Sequence, residues 1–329
     1  HTMKEVLLIT YSHDNNCIEM VADAIKKQGG KPVRFNTDLY PEESALTVEF
    51  KKGEWQLLYE NNEGVHNLSK CESLWYRRIR IANTLHNTLE DKFLQPSIEE
   101  SRRTFFGMLS SLDIFQLDSF LTVRRAENKQ LQLKVAHELG LKIPQTLITN
   151  RPSRVKDFFP YCKTGMITKM QTAFAIYEDG VENVVFTNNI DDATLEEMDD
   201  LKYCPMTFQD NIEKKLELRI TIVGDKVFAA SIDSQSKADA KYDWRKQGIQ
   251  MINDWQKYNL PKDVEQKLLL LMDKLKLNYG GVDMILTNND ELIFLEVNPV
   301  GEFFWLENNP GFPISTAIAN VLLGNGVRR

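Results

Sequence analysis

Residues 280–299 read GGVDMILTNNDELIFLEVNP. Two apolar runs flank Asn288-Asn289-Asp290, a polar turn-forming triplet, so the stretch predicts a β-hairpin. A turn centred on Asn289–Asp290 sets Asp283 directly opposite Glu296. Glu296 and Asn298 are two apart and share a strand face. Three oxygen donors then converge at the open end of one hairpin. Facing carboxylates repel unless a proton or a cation lies between them. Oxygen-only donors favour a hard ion, and Mg²⁺ typically takes one or two carboxylates together with substrate phosphates. Acidic strand ends also occur in purely structural hairpins. Two placements favour chemistry here: Asp283 sits between Val282 and Met284-Ile285, and Glu296 follows Ile293-Phe294-Leu295. A charge in such surroundings is costly without a partner.

The bulk composition narrows the class. The 329 residues suffice for two or three domains with their own cores. Apolar residues at 42% and charged residues at 26% are those of a globular protein. A net charge of −7 and a pI near 5.4 argue against a general nucleic-acid role. Cys17, Cys71, Cys162 and Cys204 form no C-x-x-C pair, which fits packing thiols in the cytoplasm better than disulfides or a zinc site. No apolar run is long enough to span a bilayer. His1-Thr2-Met3 reads as a tag remnant before a native methionine.

Along the chain, Val6–Tyr11 predicts a buried first strand, Ile18–Gln28 an amphipathic helix, and Pro32–Phe35 a second strand. That is a βαβ opening without a glycine-rich dinucleotide fingerprint. Strands are expected at 46–50, 55–59 and 74–79, a long helix over 89–112, and a single amphipathic helix over 123–139. Further expectations are a hairpin of 165–170 with 174–177, a segment at 184–186, and an acidic helix over 191–200. The next are a hairpin around Gly224-Asp225, a polar loop over 234–248, and helices at 264–275 and 314–323.

Outside the carboxylate hairpin, Glu217, Arg219 and Thr221 alternate onto one strand face. Arginine can clamp phosphate oxygens and a carboxylate can accept from ribose hydroxyls, although an in-strand ion pair is the plainer role. Lys169, inside Met166–Met170, wants an anionic partner or a route to solvent. Lys129 lies on a helix face. The segment 208–212 is extended and can present its backbone to a base edge. Arg78 and Arg80 share a face if 74–80 is a strand, and offer either an anion-binding wall or snorkelling edge arginines. Asp243-Trp244-Arg245-Lys246 can fold over a substrate. P-loop, protein-kinase and α/β-hydrolase signatures are absent from the sequence.

The order Lys129, Lys169, 209–212, Glu217-x-Arg219, Asp283, Glu296-x-Asn298 resembles that of the ATP-grasp ligases. Three stretches are more specifically similar to the graspetide (microviridin-type) peptide macrocyclases: Leu74–Arg78, Cys204–Gln209 and Phe294–Glu307, the last containing Glu302-Phe303-Phe304-Trp305. Within that family the chain is placed nearer the lactam-forming than the lactone-forming member. The resemblance implies an α/β (α+β) ATP-grasp fold: a Rossmann-like N-terminal domain (1–120), a central domain (121–205) and a C-terminal antiparallel-sheet domain (206–329). It implies ATP and Mg²⁺ as cofactors, with Asp283, Glu296 and Asn298 holding the metal and Lys129, Lys169 and Arg219 on phosphates. Lys169 and Arg219 would serve catalysis. Gln209, Asp210, Asn211 and Ile212 would frame adenine and Glu217 the ribose. A ribosomal precursor peptide with a helical leader is the implied partner, its leader docking on Asp191, Asp192, Glu196 and Glu197. Arg78, Arg80, Arg245 and Glu302 are further peptide-contact candidates. A sister ligase on the same peptide and a homodimer are also implied. The expected reaction joins an activated Glu or Asp side chain to a Lys amine; the alternatives are an ester to Thr or Ser, or another ATP-grasp carboxylate–amine ligase.

Overall fold

The middle of β1 (Glu5–Thr10) is buried on both faces. Leu7 and Ile9 pack with Val33, Phe35, Leu74 and Phe105, while Val6 and Leu8 pack with Ile18, Val21 and Ile25. Cover on both sides explains an unbroken apolar run where a half-exposed strand would alternate. The computed structural model describes residues 2–169, 175–178, 181–184, 188–233 and 254–329. Helix α1 (Asn16–Lys27) starts where the Asn15 side chain accepts from the Cys17 N–H. β2 (Lys31–Asn36) lies parallel to β1. An antiparallel three-stranded sheet follows, of β3 (Ala45–Lys51), β4 (Glu54–Asn61) and β5 (Gly64–Asn67). β6 (Ser73–Tyr76), α2 (Asp91–Ser111) and β7 (Phe115–Leu117) complete a parallel sheet of order β2-β1-β6-β7. β6 stops at Tyr76. Arg78 and Arg80 therefore lie beyond the strand and do not share the strand face expected of them.

The helix expected over 123–139 is two helices, α3 (Phe120–Ala126) and α4 (Lys129–Glu138). Asn128 interrupts it: its side chain accepts from the Leu131 N–H and caps α4. The central sheet contains β8 (Thr146–Thr149), followed in the chain by α5 (Pro152–Phe158), and β9 (Met166–Lys169). β10 (Ala175–Glu178) and β11 (Val181–Val184) pair with each other. The hairpin expected between 165–170 and 174–177 is not formed, because β9 pairs with β12 (Asn188–Ile190) instead. The acidic stretch is one helical turn, α6 (Asp192–Leu195), followed by 3-10 helix at Asp199–Tyr203, and not a continuous helix. β13 (Met206–Asp210) lies past residue 205 yet pairs with both β8 and β9.

The remaining elements are β14 (Lys214–Val223), β15 (Lys226–Ile232), β16 (Gln256–Lys257), α7 (Lys262–Leu275), β17 (Tyr279–Thr287), β18 (Leu292–Asn298), α8 (Phe304–Asn308) and α9 (Ile314–Leu322). They build an antiparallel sheet of order β16-β15-β14-β17-β18. The Gly224-Asp225 turn forms as expected, with Gly224 at φ +60°. One face of the sheet packs Ile220, Val282, Met284 and Phe294 against Leu133 of α4 and Leu268 and Met272 of α7. α9 packs on α1, which joins the two ends of the chain in one core. No helix among the described residues is long and apolar enough to cross a membrane.

Candidate functional site

The β17–β18 hairpin pairs Asp283 with Glu296 and Gly281 with Asn298. It reaches that register by a route the sequence reading did not foresee. Near the turn, Leu286 faces Leu292 and Met284 faces Phe294, which centres the turn on Asn289. An irregularity between Met284 and Asp283 then inserts Leu295 as an extra residue in β18. The bulge lets Phe294 and Val297, three apart, both turn fully into the core. Glu296 and Asn298 are left on the opposite face with Asp283.

Neighbouring elements supply the cations. Arg219 on β14 lies across from Asp283, and its Nη1 donates to Asp283 Oδ1 at 2.8 Å. Burial works against the Arg219 charge, but Asp283, with Tyr279 and Glu296, outweighs it and raises the pKa. Lys129 is the first residue of α4, and its Nζ donates to Glu296 Oε2 at 2.6 Å. One turn further, Gln132 is fully buried. Its amide donates to Ala126 O (2.7 Å) and Val297 O (2.8 Å), and accepts from the Val297 N–H (3.0 Å). Gln132 thus satisfies the open edge of β18 and fixes α4, with Lys129, beside Glu296. The sequence reading missed Gln132; a glutamine one turn after Lys129 was its only signal. It also missed Lys214, which pairs with Glu217.

The other expected residues lie on β9, on β13 and the segment after it, and on β14. Lys169 ends β9 opposite Thr207. Gln209 is buried and donates to Thr146 Oγ1 at 3.0 Å, so its side chain belongs to the sheet. The N–H groups of Asp210 and Asn211 are bonded to Gln145 and Gly165 carbonyls. Among the described residues, the buried polar atoms without a hydrogen-bond partner include Thr207 Oγ1 and Asp210 Oδ1 on β13 and Glu217 Oε2, Arg219 Nε and Thr221 Oγ1 on β14. Buried polar atoms are rarely left so, and the three on β14 alternate along one strand face, which suits a polar ligand. A cavity of about 860 Å³ touches Asp210 and Ile212 but none of Lys129, Glu217, Arg219, Asp283 or Glu296. It is mixed and open, and the chemistry-bearing side chains lie elsewhere.

The peptide-contact candidates divide into two places. Arg78 and Glu302 meet each other. Glu302 Oε2 also accepts from Arg77 Nη2 at 2.6 Å, from the Asn15 amide and from Cys17 Sγ at 3.4 Å. Burial alone would raise the Glu302 pKa; Arg77, Asn15 and Arg78 hold it below the ordinary carboxylate range. Arg77, passed over in favour of its neighbours, is the buried arginine, and Asp14 takes its Nε at 2.7 Å and Nη2 at 3.0 Å. Cys17 is a packing thiol pushed up to about 12 by burial. Arg80 stacks on the Tyr11 ring at 4.3 Å. In the central region Asp191 caps α6 through Thr194, which lowers its pKa. Glu196 pairs with Lys156 at 3.4 Å, and Asp192 and Glu197 are exposed. Arg245 lies outside the described residues.

Comparison with known proteins gives the family. Residues 5–124 match the MvdD pre-ATP grasp domain and residues 126–322 the RimK-like ATP-grasp domain. A Chryseobacterium gregarium RiPP-associated ATP-grasp ligase, solved with ADP and a leader and core peptide, is 44% identical with a TM-score of 0.94, covering 99% of this chain and 98% of that one. The macrocyclase MdnC of Microcystis aeruginosa MRC, bound to precursor peptide MdnA, is 43% identical with a TM-score of 0.88, over 97% and 99% of the two chains. The macrocyclase MdnB of the same organism is 35% identical with a TM-score of 0.80, over 97% and 99%. No curated protein sequence matches. The chain belongs to the ATP-grasp family, among the RiPP-associated peptide ligases, and is an ATP-dependent, ADP-forming ligase.

Proposed function

We propose that the protein is a peptide macrocyclase that activates Glu or Asp side chains of a ribosomal precursor peptide and joins each to a nucleophilic side chain of the same peptide. One observation carries the reading: Asp283 and Glu296 face each other, each matched to a cation from a different element, Arg219 and Lys129. The donor set suits Mg²⁺, with Asp283, Glu296 and Asn298 as its ligands; the metal would neutralise charge on the transferring phosphoryl group. Lys129 and Arg219 would then exchange carboxylate oxygens for phosphate oxygens, and Lys169 would add a third cation. Glu217 and the 209–212 segment would hold ribose and adenine. A substrate carboxylate oxygen attacks the γ-phosphorus and ADP departs. The nucleophile attacks the acyl carbon, its proton is lost, and phosphate leaves. Orientation and exclusion of water do most of the work, since water would hydrolyse the intermediate.

Activation is common to amide and ester formation, so the nucleophile is chosen by how the peptide docks. A Lys amine gives the lactam expected from the sequence; a Thr or Ser hydroxyl gives the ester. The identity to MdnC exceeds that to MdnB, so the bond MdnC forms is the better guide. The exposed face around Asp192 and Glu197 is the proposed leader-docking surface.

The test is intact mass after incubating a leader-bearing acidic precursor with the protein, ATP and Mg²⁺. The expected outcome is loss of one water per ring, with peptide-dependent ADP release; fragmentation then names the bond. A peptide that stays phosphorylated would mark a phosphotransferase. No mass loss on either a linear or a pre-esterified precursor would overturn the reading.

A further inference from the structure

We infer that Glu302 is a positioning residue: it acts through Arg219 and makes the nucleotide site depend on the loop after β1. Three contacts carry this. The Glu302 carboxylate is gripped by Arg77, Arg78 and Asn15, all from the N-terminal sheet region. Its own main-chain carbonyl accepts from Arg219 Nη2 at 3.2 Å, while Arg219 Nη1 holds Asp283. A Cβ on Gly301 would stand 2.7 Å from Arg219 Nη2, and one on Gly281 2.8 Å from the same atom. The guanidinium therefore lies in a slot between two glycine backbones, and one wall of that slot is set by where Glu302 is tied.

The tie is firm. The Arg77 and Asp14 side chains are 2% and 1% exposed, so their ion pair cannot trade partners with water. Tyr279 Oη donates to Gly301 O at 2.6 Å and fixes the same segment from β17. With the carboxylate removed, Arg77 loses one of two anions in a buried place, and residues 299–303 lose their anchor to Asn15. The carbonyl under Arg219 then wanders, and misplacement on the scale of 1 Å is enough to cost a hundredfold in rate.

This inference rests on the proposal that Arg219 contacts phosphate. The experiment compares E302Q, G301A and R219K by steady-state kinetics of peptide-dependent ADP release, with thermal melts to confirm folding. G301A disturbs Arg219 directly and leaves the Glu302 carboxylate and its partners intact. If Glu302 acts through Arg219, E302Q and G301A both lower kcat about ten- to a hundredfold, with KM for peptide unchanged. Glu302→Asp, which keeps the charge, restores part of the loss. A raised peptide KM at unchanged kcat in E302Q would make Glu302 a peptide contact and overturn the inference. Loss of kcat in R219K but in neither of the other folded variants would also overturn it. If R219K itself leaves kcat unchanged, the phosphate role of Arg219 has failed, and this inference fails with it. Should E302Q melt before assay temperature, Glu302→Asp takes its place: a normal kcat in G301A, or a raised peptide KM at unchanged kcat in Glu302→Asp, overturns the proposal, and a reduced kcat in both at unchanged peptide KM supports it.

Discussion

At the residue scale, Asp118 is a carboxylate buried away from the site. It is 3% exposed and sits at the join between β7 and α3. Its carboxylate accepts from the Asn278 N–H at 3.0 Å, the Asn278 amide at 2.8 Å and the Tyr279 N–H at 3.3 Å. Burial raises its pKa to about 6 from an ordinary 3.8, and these donors only soften the rise. The folded state thus binds this proton more tightly than the unfolded chain. The stabilising contribution is complete below about pH 4 and is lost as pH climbs through about 6, with a total on the order of 3 kcal/mol. Asp118→Asn removes the titration and sets an amide against the Asn278 donors, so it destabilises at every pH. Urea unfolding of both proteins from pH 4 to 7.5 should show the wild-type advantage shrinking as pH rises. A pH-independent difference would show that Asp118 ionises normally.

At the element scale, α4 and β18 depend on one side chain. Gln132 makes three buried hydrogen bonds, two to Val297 on the β18 edge and one to Ala126 O at the end of α3. Gln132→Met keeps the size but leaves Ala126 O, Val297 O and Val297 N–H unpaired. The expected cost is about 3 kcal/mol, since each stranded buried group costs about 1 kcal/mol or more. The helix start should then drift, and Lys129 with it, so kcat should also fall. A stability loss below about 0.5 kcal/mol in denaturant titration would mean that another group or water closes this edge.

For the whole molecule, the distribution of cores predicts the order of unfolding. α1, β1 and β6 share one core with α8 and α9, so the N- and C-terminal regions are not independent. The central sheet closes on a smaller set of residues, among them Val155, Met166, Leu195 and Phe208. Hydrogen exchange should therefore show β8, β9 and β13 opening at lower free energy than β1 and β14, which open together. Slower exchange in β13 than in β14 would contradict that order.

The sequence by itself determined what is local. Turn residues placed the β17–β18 hairpin and the Gly224-Asp225 hairpin, because strands joined by a short turn have little choice of partner, but the pairing of Asp283 with Glu296 also needed the Leu295 bulge. The βαβ opening was legible because an unbroken apolar run, a helical period and a second apolar run follow one another within about 30 residues. Order along the chain was enough to gather Lys129, Glu217, Arg219, Asp283 and Glu296 into one proposed site. Asn128 carried a capping signal that the helical periodicity around it masked. What only the tertiary structure decided was long-range. Nothing near Trp75-Tyr76-Arg77-Arg78 says which arginine is buried; Asp14 and Glu302, distant in sequence, decide it by bringing carboxylates to Arg77. The pairing of β9 with β12 and β13, the Leu295 bulge and the role of Gln132 likewise depend on which surface each element meets. A side chain's propensities travel with its sequence neighbours, whereas its partners are fixed only when distant segments are packed together.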